Sequence, residues 1–339
     1  MNAPASLPRV GFAGVGWIGL NRLRAIAAEG TAEIVGIVDT SPDAAEAAVR
    51  SIEARALSAR VVGNFEELLA QDLDGIVIAT PSGLHATQAT AALEHGSAVF
   101  CQKPLARTAP EAAQVIRAAR TRDRLLSVDL CYRTVAGVPQ LVDLARSGEL
   151  GEIYAADLVF HNAYGPDKSW FYDLQQSGGG CVMDLGIHLL DLALLVFGYP
   201  QVCAVSSRLH RAGALLGKPV DELEDHAFAE VQFSTGATAR IACSWRLAAG
   251  QDAVIEAAFY GTRGSAILRN IDGSFYNFTV EHCVGTKRRA IAARDDQWGG
   301  RAANAWVRKL SQGTRFDDRA QHLYDLSVLI DAIYGRQSG

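Results

Sequence analysis

"RVGFAGVGWIG", running from Arg9 to Gly19, is the stretch on which the fold turns. "RVGFA" has the apolar character of a short buried strand, and "WIGLNRLRAIAAEG" carries apolar residues at helical spacing until Gly30. Between strand and helix, the glycines at 14, 16 and 19 have separate tasks. Gly14 permits a tight turn, Gly16 lets backbone approach a diphosphate, and Gly19 allows close packing of helix on strand. The helix N-terminus then faces the anion. Trp17 and Ile18, in the same turn, join the glycines as candidate cofactor contacts.

The next strand, "AEIVGIVDT", ends on Asp39, about 20 residues beyond Gly19, where a carboxylate can bind both hydroxyls of an adenosine ribose. A carboxylate repels a 2′-phosphate, so NAD is the expected cofactor. Thr40 and Ser41 soften that preference, and NADP stays open.

Strand and helix then keep alternating. "SPDAAEAA" opens a helix, "ARVV" a strand, "FEELLA" a helix and "DGIVIAT" a strand. "GLHATQATAALEHG", "SAVFCQ", "TAPEAAQVIRAARTR" and "LLSVDL" repeat the pattern, with Thr108 and Glu111 forming a capping box. Such alternation means a doubly wound parallel sheet covered on both faces. Ligands of these sheets bind at the carboxyl ends of the strands. Thr80, Pro81 and His85 follow one such end, and Gln102 and Lys103 follow the next. His85 reads equally as a cofactor contact or as a residue of the helix N-terminus.

After about Asp129 the pattern becomes successive strands with few helices, including "IYAADLVF", "HAFAEVQFS", "ATARIACSWR", "AVIEAAFYG" and, last, "SFYNFTVE" from Ser274. That is an antiparallel sheet in an α+β domain. The 339 residues exceed one ordinary core, so two domains are expected. Residues 1–130 form the dinucleotide-binding domain and 131–339 the substrate-binding and oligomerisation domain, with room for a C-terminal helix to pack back on the first. A formal net charge of −5 and the lack of a long basic tract argue against nucleic acid as a partner. "TKRR", Thr286 to Arg289, reads as a solvated loop. The six cysteines, without a C-x-x-C pair, read as reduced, buried thiols. "MNAPASLPRV" lacks a signal core, and no uninterrupted apolar run approaches membrane-spanning length. A soluble, cytoplasmic protein with no membrane partner is expected.

A second stretch, "GGGCVMDLGIHLLD" from Gly178 to Asp191, places Asp184, His188 and Asp191 at i, i+4 and i+7 on an apolar helix. Buried acids and imidazoles must be paired or neutral. Three readings stay open: a closed structural network, a metal site short of a third and fourth ligand, and a catalytic group. In the catalytic reading the glycines bring the helix start close to a ligand, and His188 exchanges a proton near neutral pH. Asp191 would orient the His188 ring, and Asp184 would hold a substrate hydroxyl. No metal is expected. Trp170 and Tyr172 in "KSWFY", together with Tyr132, offer aromatic faces for a sugar, or are core.

The combination resembles the glucose–fructose oxidoreductase / inositol dehydrogenase (Gfo/Idh/MocA) family. The likeness lies in "GVGWIG" with Asp39, "ATPSGLH", "QKPLA" where the family has E-K-P, and "SGGGCVMDLGIHLLD" against G-G-G-x-x-x-D-x-G-x-H-x-x-D. It implies a Rossmann domain followed by an open-faced, mainly antiparallel sheet, with homodimers or homotetramers formed through that sheet. It also implies NAD(P)-dependent hydride transfer to or from a secondary alcohol or ketone of a sugar, sugar derivative or cyclitol. By matching position, Lys103, Asp184 and His188 are the implied catalytic set. Two alternatives share the fold: an NAD-dependent glycosidase working by transient oxidation and elimination, and a non-enzymatic regulator that binds NAD and sugar. Gln102 departs from the family's glutamate, so Lys103 is expected to lose a neighbouring anion; Ser82 stands where asparagine is common.

Overall fold

In the first part of the chain, β1 (Arg9–Ala13), α1 (Trp17–Glu29), β2 (Glu33–Val38), α2 (Pro42–Arg50), β3 (Arg60–Val61) and α3 (Phe65–Leu69) alternate. β4 (Gly75–Ile78), α4 (Ser82–His95), β5 (Ala98–Cys101), α5 (Ala109–Thr121) and β6 (Leu126–Val128) continue the series. The computed structural model describes residues 7–52, 58–292 and 298–336. The outer ends of both expected domains, and "MNAPAS" of the N-terminal stretch, lie outside the described residues. The six strands are parallel, in the order β3-β2-β1-β4-β5-β6. Val10, Phe12, Ile76, Val77 and Ile78 have no exposed surface, as a sheet covered on both faces requires. Strand order reverses between β1 and β4, the switch point at which such sheets bind ligands.

The second part contains α6 (Val138–Arg146), β7 (Ile153–Asn162), α7 (Leu174–Ser177), α8 (Ile187–Phe197), β8 (Val202–Arg211) and β9 (Ala214–Leu215). β10 (His226–Phe233), β11 (Thr238–Ser244), β12 (Ala253–Gly261), β13 (Ser265–Asn270), β14 (Phe278–Val284) and β15 (Lys287–Ala290) follow. They build a nine-stranded sheet ordered β15-β14-β13-β12-β7-β11-β10-β8-β9. Its pairings are antiparallel except β7 with β11. Inward residues of β10 (Ala227, Ala229, Val231, Phe233) alternate with outward ones, the signature of a one-sided sheet. α9 (Arg301–Ser311) and α10 (Gln321–Tyr334) close the chain.

The chain divides into two units. One runs up to Asp129 and regains Gly299–Tyr324; the other is Leu130–Trp298 with the residues from Asp325 onward. α9 therefore completes the first unit, where Trp306 is 1% exposed and its ring lies 5.7 Å from that of Phe100.

Four local expectations need correction. "TKRR" is not a loop: Lys287–Arg289 lie in the exposed edge strand β15, paired to β14. The last predicted strand begins at Phe278, not at Ser274. Cys203 is exposed at the start of β8 and Cys283 is partly exposed on β14, so four cysteines rather than six are buried. Finally, the 24-residue segment Leu174–Phe197, at mean hydropathy 1.9, is long and apolar enough to cross a membrane. Of an 18-residue window within it, 83% is buried inside the protein, which accounts for its composition as core.

Candidate active site

In the first unit the glycine turn has the expected shape. Gly14 adopts φ +85°, and a Cβ there would lie 2.5 Å from the Ala79 carbonyl oxygen. A Cβ on Gly19 would lie 2.2 Å from the Gly14 carbonyl oxygen, whereas one on Gly16 would meet nothing within 4 Å. Gly14 and Gly19 are thus demanded by packing, and Gly16 borders open space. No side chain caps α1 and its first turn holds no acid, so its N-terminus suits a diphosphate. Trp17 beside it is 65% exposed. Asp39 accepts from the Val15 N–H through Oδ2 (2.8 Å) and from the Ser41 N–H through Oδ1 (2.9 Å). Each carboxylate oxygen keeps further acceptor capacity for a ribose hydroxyl. The Ser41 hydroxyl is committed to capping α2, accepting from the Ala44 N–H at 3.3 Å. These residues fit a dinucleotide.

At the exits of β4 and β5 the structure separates the candidates. Thr80 donates its hydroxyl to Gln88 Oε1 (2.6 Å), and Pro81 takes the N-cap position of α4. His85 is 1% exposed, with Nε2 2.8 Å from the Thr80 carbonyl and Nδ1 2.7 Å from the Pro104 carbonyl. Its ring is committed to tying two strand exits together, which removes it from the direct cofactor contacts. Burial pushes the His85 imidazole below its ordinary value, against the pull of the two carbonyls and with a further downward push from Lys103. Lys103 lies between Gln102 and Pro104, and the Lys103–Pro104 peptide is cis. Gln102 donates to Asp129 Oδ2 at 2.5 Å, and Arg22 Nε donates to the same oxygen at 2.6 Å. Position 102 therefore touches the Asp129 carboxylate, a partner that the sequence reading did not anticipate.

In the second unit, Val182–Gly186 is a π-helical turn that leads directly into α8. The wider turn breaks the regular spacing on which a single stripe of Asp184, His188 and Asp191 depended. Asp191, 2% exposed, accepts from Arg133 Nε (2.7 Å) at one oxygen and from Arg133 Nη2 at the other. Burial works against the Arg133 charge, but the Asp191 ion pair outweighs it and raises the guanidinium above its ordinary value. The hydrogen bonds of Asp191 go to Arg133 and not to His188, so the expected orienting contact is replaced by an ion pair. Asp184 Oδ2 accepts from the Trp245 indole N–H at 3.1 Å. His188 is 8% exposed, and its ring centroid lies 4.6 Å from that of Tyr132. Tyr132 is itself enclosed by Phe160, Phe278 and Trp298, and burial pushes its phenol well above the ordinary value. Tyr132 is a wall for His188. Trp170 stacks on Phe171 at 3.8 Å, while Tyr172 is 42% exposed and edge-on to Trp245 at 5.8 Å.

The triple glycine has a packing cause rather than a ligand cause. A Cβ on Gly179 would fall 2.1 Å from Tyr334 Oη, and one on Gly180 1.9 Å from the Glu224 carbonyl oxygen. Glu224 is fully buried and accepts from the Gly180 N–H (2.9 Å), the Val182 N–H (2.8 Å) and the Tyr334 hydroxyl (2.8 Å). It satisfies the backbone donors where the helical segment of Asp184 begins. Burial raises its carboxyl above the ordinary range, and the three hydrogen bonds pull it back down. Sequence reading missed Glu224, Trp245, Arg133 and Asp129, each far along the chain from its partner. Among the described residues, no group of three or more His, Cys, Asp or Glu could hold a metal ion.

Comparison with known proteins follows the same division. Residues 8–130 match the oxidoreductase family with an NAD-binding Rossmann fold, and residues 138–267 match the GFO/IDH/MocA C-terminal domain. The 1,5-anhydro-D-fructose reductase of Ensifer adhaerens is 31% identical over 244 residues, 70% of this chain and 69% of that protein. Inositol 2-dehydrogenase of Rhizobium meliloti (strain 1021) is 26% identical over 264 residues, 77% of this chain and 76% of that protein. The solved structure of levoglucosan dehydrogenase with NADH and levoglucosan superposes with a TM-score of 0.82 at 21% identity, covering 97% of this chain and 96% of that one. The chain belongs to the Gfo/Idh/MocA family of NAD(P)-dependent oxidoreductases.

Proposed function

We propose that this protein is an NAD-preferring dehydrogenase acting on a secondary alcohol, or in reverse a ketone, of a sugar, sugar derivative or cyclitol. The observation that carries this reading is Asp184, held by the Trp245 indole, with His188 in the next helical stretch against Tyr132. The names of the related reductase and inositol dehydrogenase support the substrate class.

A bound nicotinamide supplies the hydride acceptor or donor. His188 removes the hydroxyl proton, a task for which imidazole is suited and which is worth roughly 10²–10⁴-fold. Lys103 stabilises the charge that grows on the oxygen. Asp184, fixed by Trp245, receives a substrate hydroxyl. NAD is favoured because the Asp39 carboxylate would repel a 2′-phosphate and accept from a 2′-hydroxyl, and the Ser41 hydroxyl is engaged in capping α2. We assign homo-oligomerisation to the outward face of the nine-stranded sheet, which carries exposed Phe228 and the Arg240–Asp157 pair (2.7 Å).

The test incubates the protein with NAD or NADP and a panel of inositols, aldoses and sugar phosphates, following nicotinamide reduction. Reduction lost in Lys103→Met and His188→Ala is the expected result. Faster turnover with NADP overturns the cofactor preference. A silent panel with NADH still bound overturns the dehydrogenase reading in favour of a glycosidase or a regulator.

A further inference from the structure

Three side chains from separate elements meet inside the first unit: Arg22 of α1, Gln102 just past β5 and Asp129 just past β6. The side chains of Arg22 and Asp129 are 5% and 0% exposed, and Gln102 is 9% exposed. Arg22 Nε and Gln102 Nε2 both donate to Asp129 Oδ2, at 2.6 and 2.5 Å. A carboxylate only accepts, so the amide must turn its NH₂ toward it. One guanidinium and one carboxylate leave the cluster neutral, which a buried site requires. A glutamate at position 102 would set two carboxylates against each other, and one would have to keep a proton.

This cluster grips the backbone that carries Lys103. The Gln102 N–H donates to the Ile78 carbonyl and the Asp129 N–H to the Cys101 carbonyl, both at 2.8 Å. On the far side of Lys103, the Pro104 carbonyl meets His85 Nδ1 at 2.7 Å. Lys103 is thus pinned through both of its chain neighbours.

We propose that Asp129, paired with Arg22, is the positioning residue for Lys103. Its carboxylate holds the Gln102 side chain, and through it the strand exit from which Lys103 extends. Its charge is also the reason that position 102 carries an amide. The proposal rests on the assignment of Lys103 to the reaction, so its test includes a readout that needs no turnover.

The full chain is compared with Gln102→Glu, Asp129→Asn and the exchanged pair Gln102→Glu/Asp129→Asn. Four readouts are taken: Tm at about pH 5 and pH 8, the pH profile of kcat, the KM for substrate, and the rate of Lys103 acetylation by acetic anhydride with NADH present. Gln102→Glu is expected to lower Tm more at the higher pH, because the shared proton is lost there. Its kcat should fall roughly 10- to 100-fold with little change in KM, as for a reacting group displaced by about 1 Å. Asp129→Asn should lower Tm at both pH values, since Arg22 loses its counter-charge. The exchanged pair restores one acid and one amide, and should recover Tm, kcat and the Lys103 acetylation rate together. A double variant no better than the two single losses combined would overturn the proposal. So would a cluster that moves Tm while leaving the kcat profile and Lys103 acetylation unchanged. If no substrate is turned over, the dehydrogenase reading fails by itself, and acetylation still decides whether Asp129 sets Lys103.

Discussion

Asp191 presents both carboxylate oxygens to Arg133, so the acid one turn beyond His188 belongs to an ion pair rather than to the imidazole. Removing a buried partner costs about 3–5 kcal/mol, and Arg133, with 32% of its side chain exposed, places Asp191→Ala at the lower end. Urea unfolding should show that loss. Asp191→Asn should leave the pH dependence of kcat/KM where it is. A displacement of its limb by about one pH unit would return Asp191 to the catalytic group.

Trp245 acts on Asp184 through a single indole N–H at 3.1 Å. Trp245→Phe keeps an aromatic ring and removes the donor. A hydrogen bond to a charged group is worth about 1.5–3 kcal/mol, so turnover should fall roughly 10- to 100-fold. Tm should change little by comparison. Turnover within a factor of about two of the parent protein would show that the bond does not orient Asp184.

Two glycine-to-alanine substitutions should behave in opposite ways. At Gly16 a Cβ meets nothing within 4 Å, so Gly16→Ala should fold normally and bind NADH weakly. At Gly180 a Cβ lies 1.9 Å from the Glu224 carbonyl, so Gly180→Ala should lose stability before any ligand is added. Differential scanning fluorimetry with and without NADH separates the two. A Gly16→Ala chain with undiminished NADH affinity would remove this turn from the binding site.

Glu224 gives a pH signature. Burial raises its carboxyl in the folded state above the value of about 4.3 expected in the unfolded chain. The folded state therefore holds this proton more tightly. Its contribution is complete below the unfolded value and is lost as pH rises through the folded one. Glu224→Gln cannot lose that proton. The stability advantage of the parent chain over the variant should accordingly shrink as pH rises from about 4.3 toward neutrality. An advantage that is constant or grows, by urea unfolding at both ends, would contradict the shift.

The first unit was legible because its signals are local. β1, the glycine turn and α1 follow within one short stretch, and Thr108 caps α5 by accepting from the Glu111 N–H as its spacing indicates. Lys103, Asp184 and His188 were likewise marked as candidates by short motifs. Their supports were not. Trp245 stands 61 residues from Asp184, Arg133 58 from Asp191, and Glu224 44 from Gly180. Only folding brings such pairs together. The π turn at Val182–Gly186 was equally hidden, because it changes the helical register without changing the apolar pattern.

Trp306 of α9 lies against Phe100, and a Cβ on Gly75 would come within 2.7 Å of its ring. The apolar cluster that contains Val10, Phe12 and Phe100 is closed by Ala303, Trp306 and Val307. Synthesis proceeds from the N-terminus, so this sheet is translated long before its last covering helix. A nascent chain must hold the nucleotide-binding sheet partly uncovered until the residues beyond Gly299 have left the ribosome. The first unit to be made is therefore among the last to be finished.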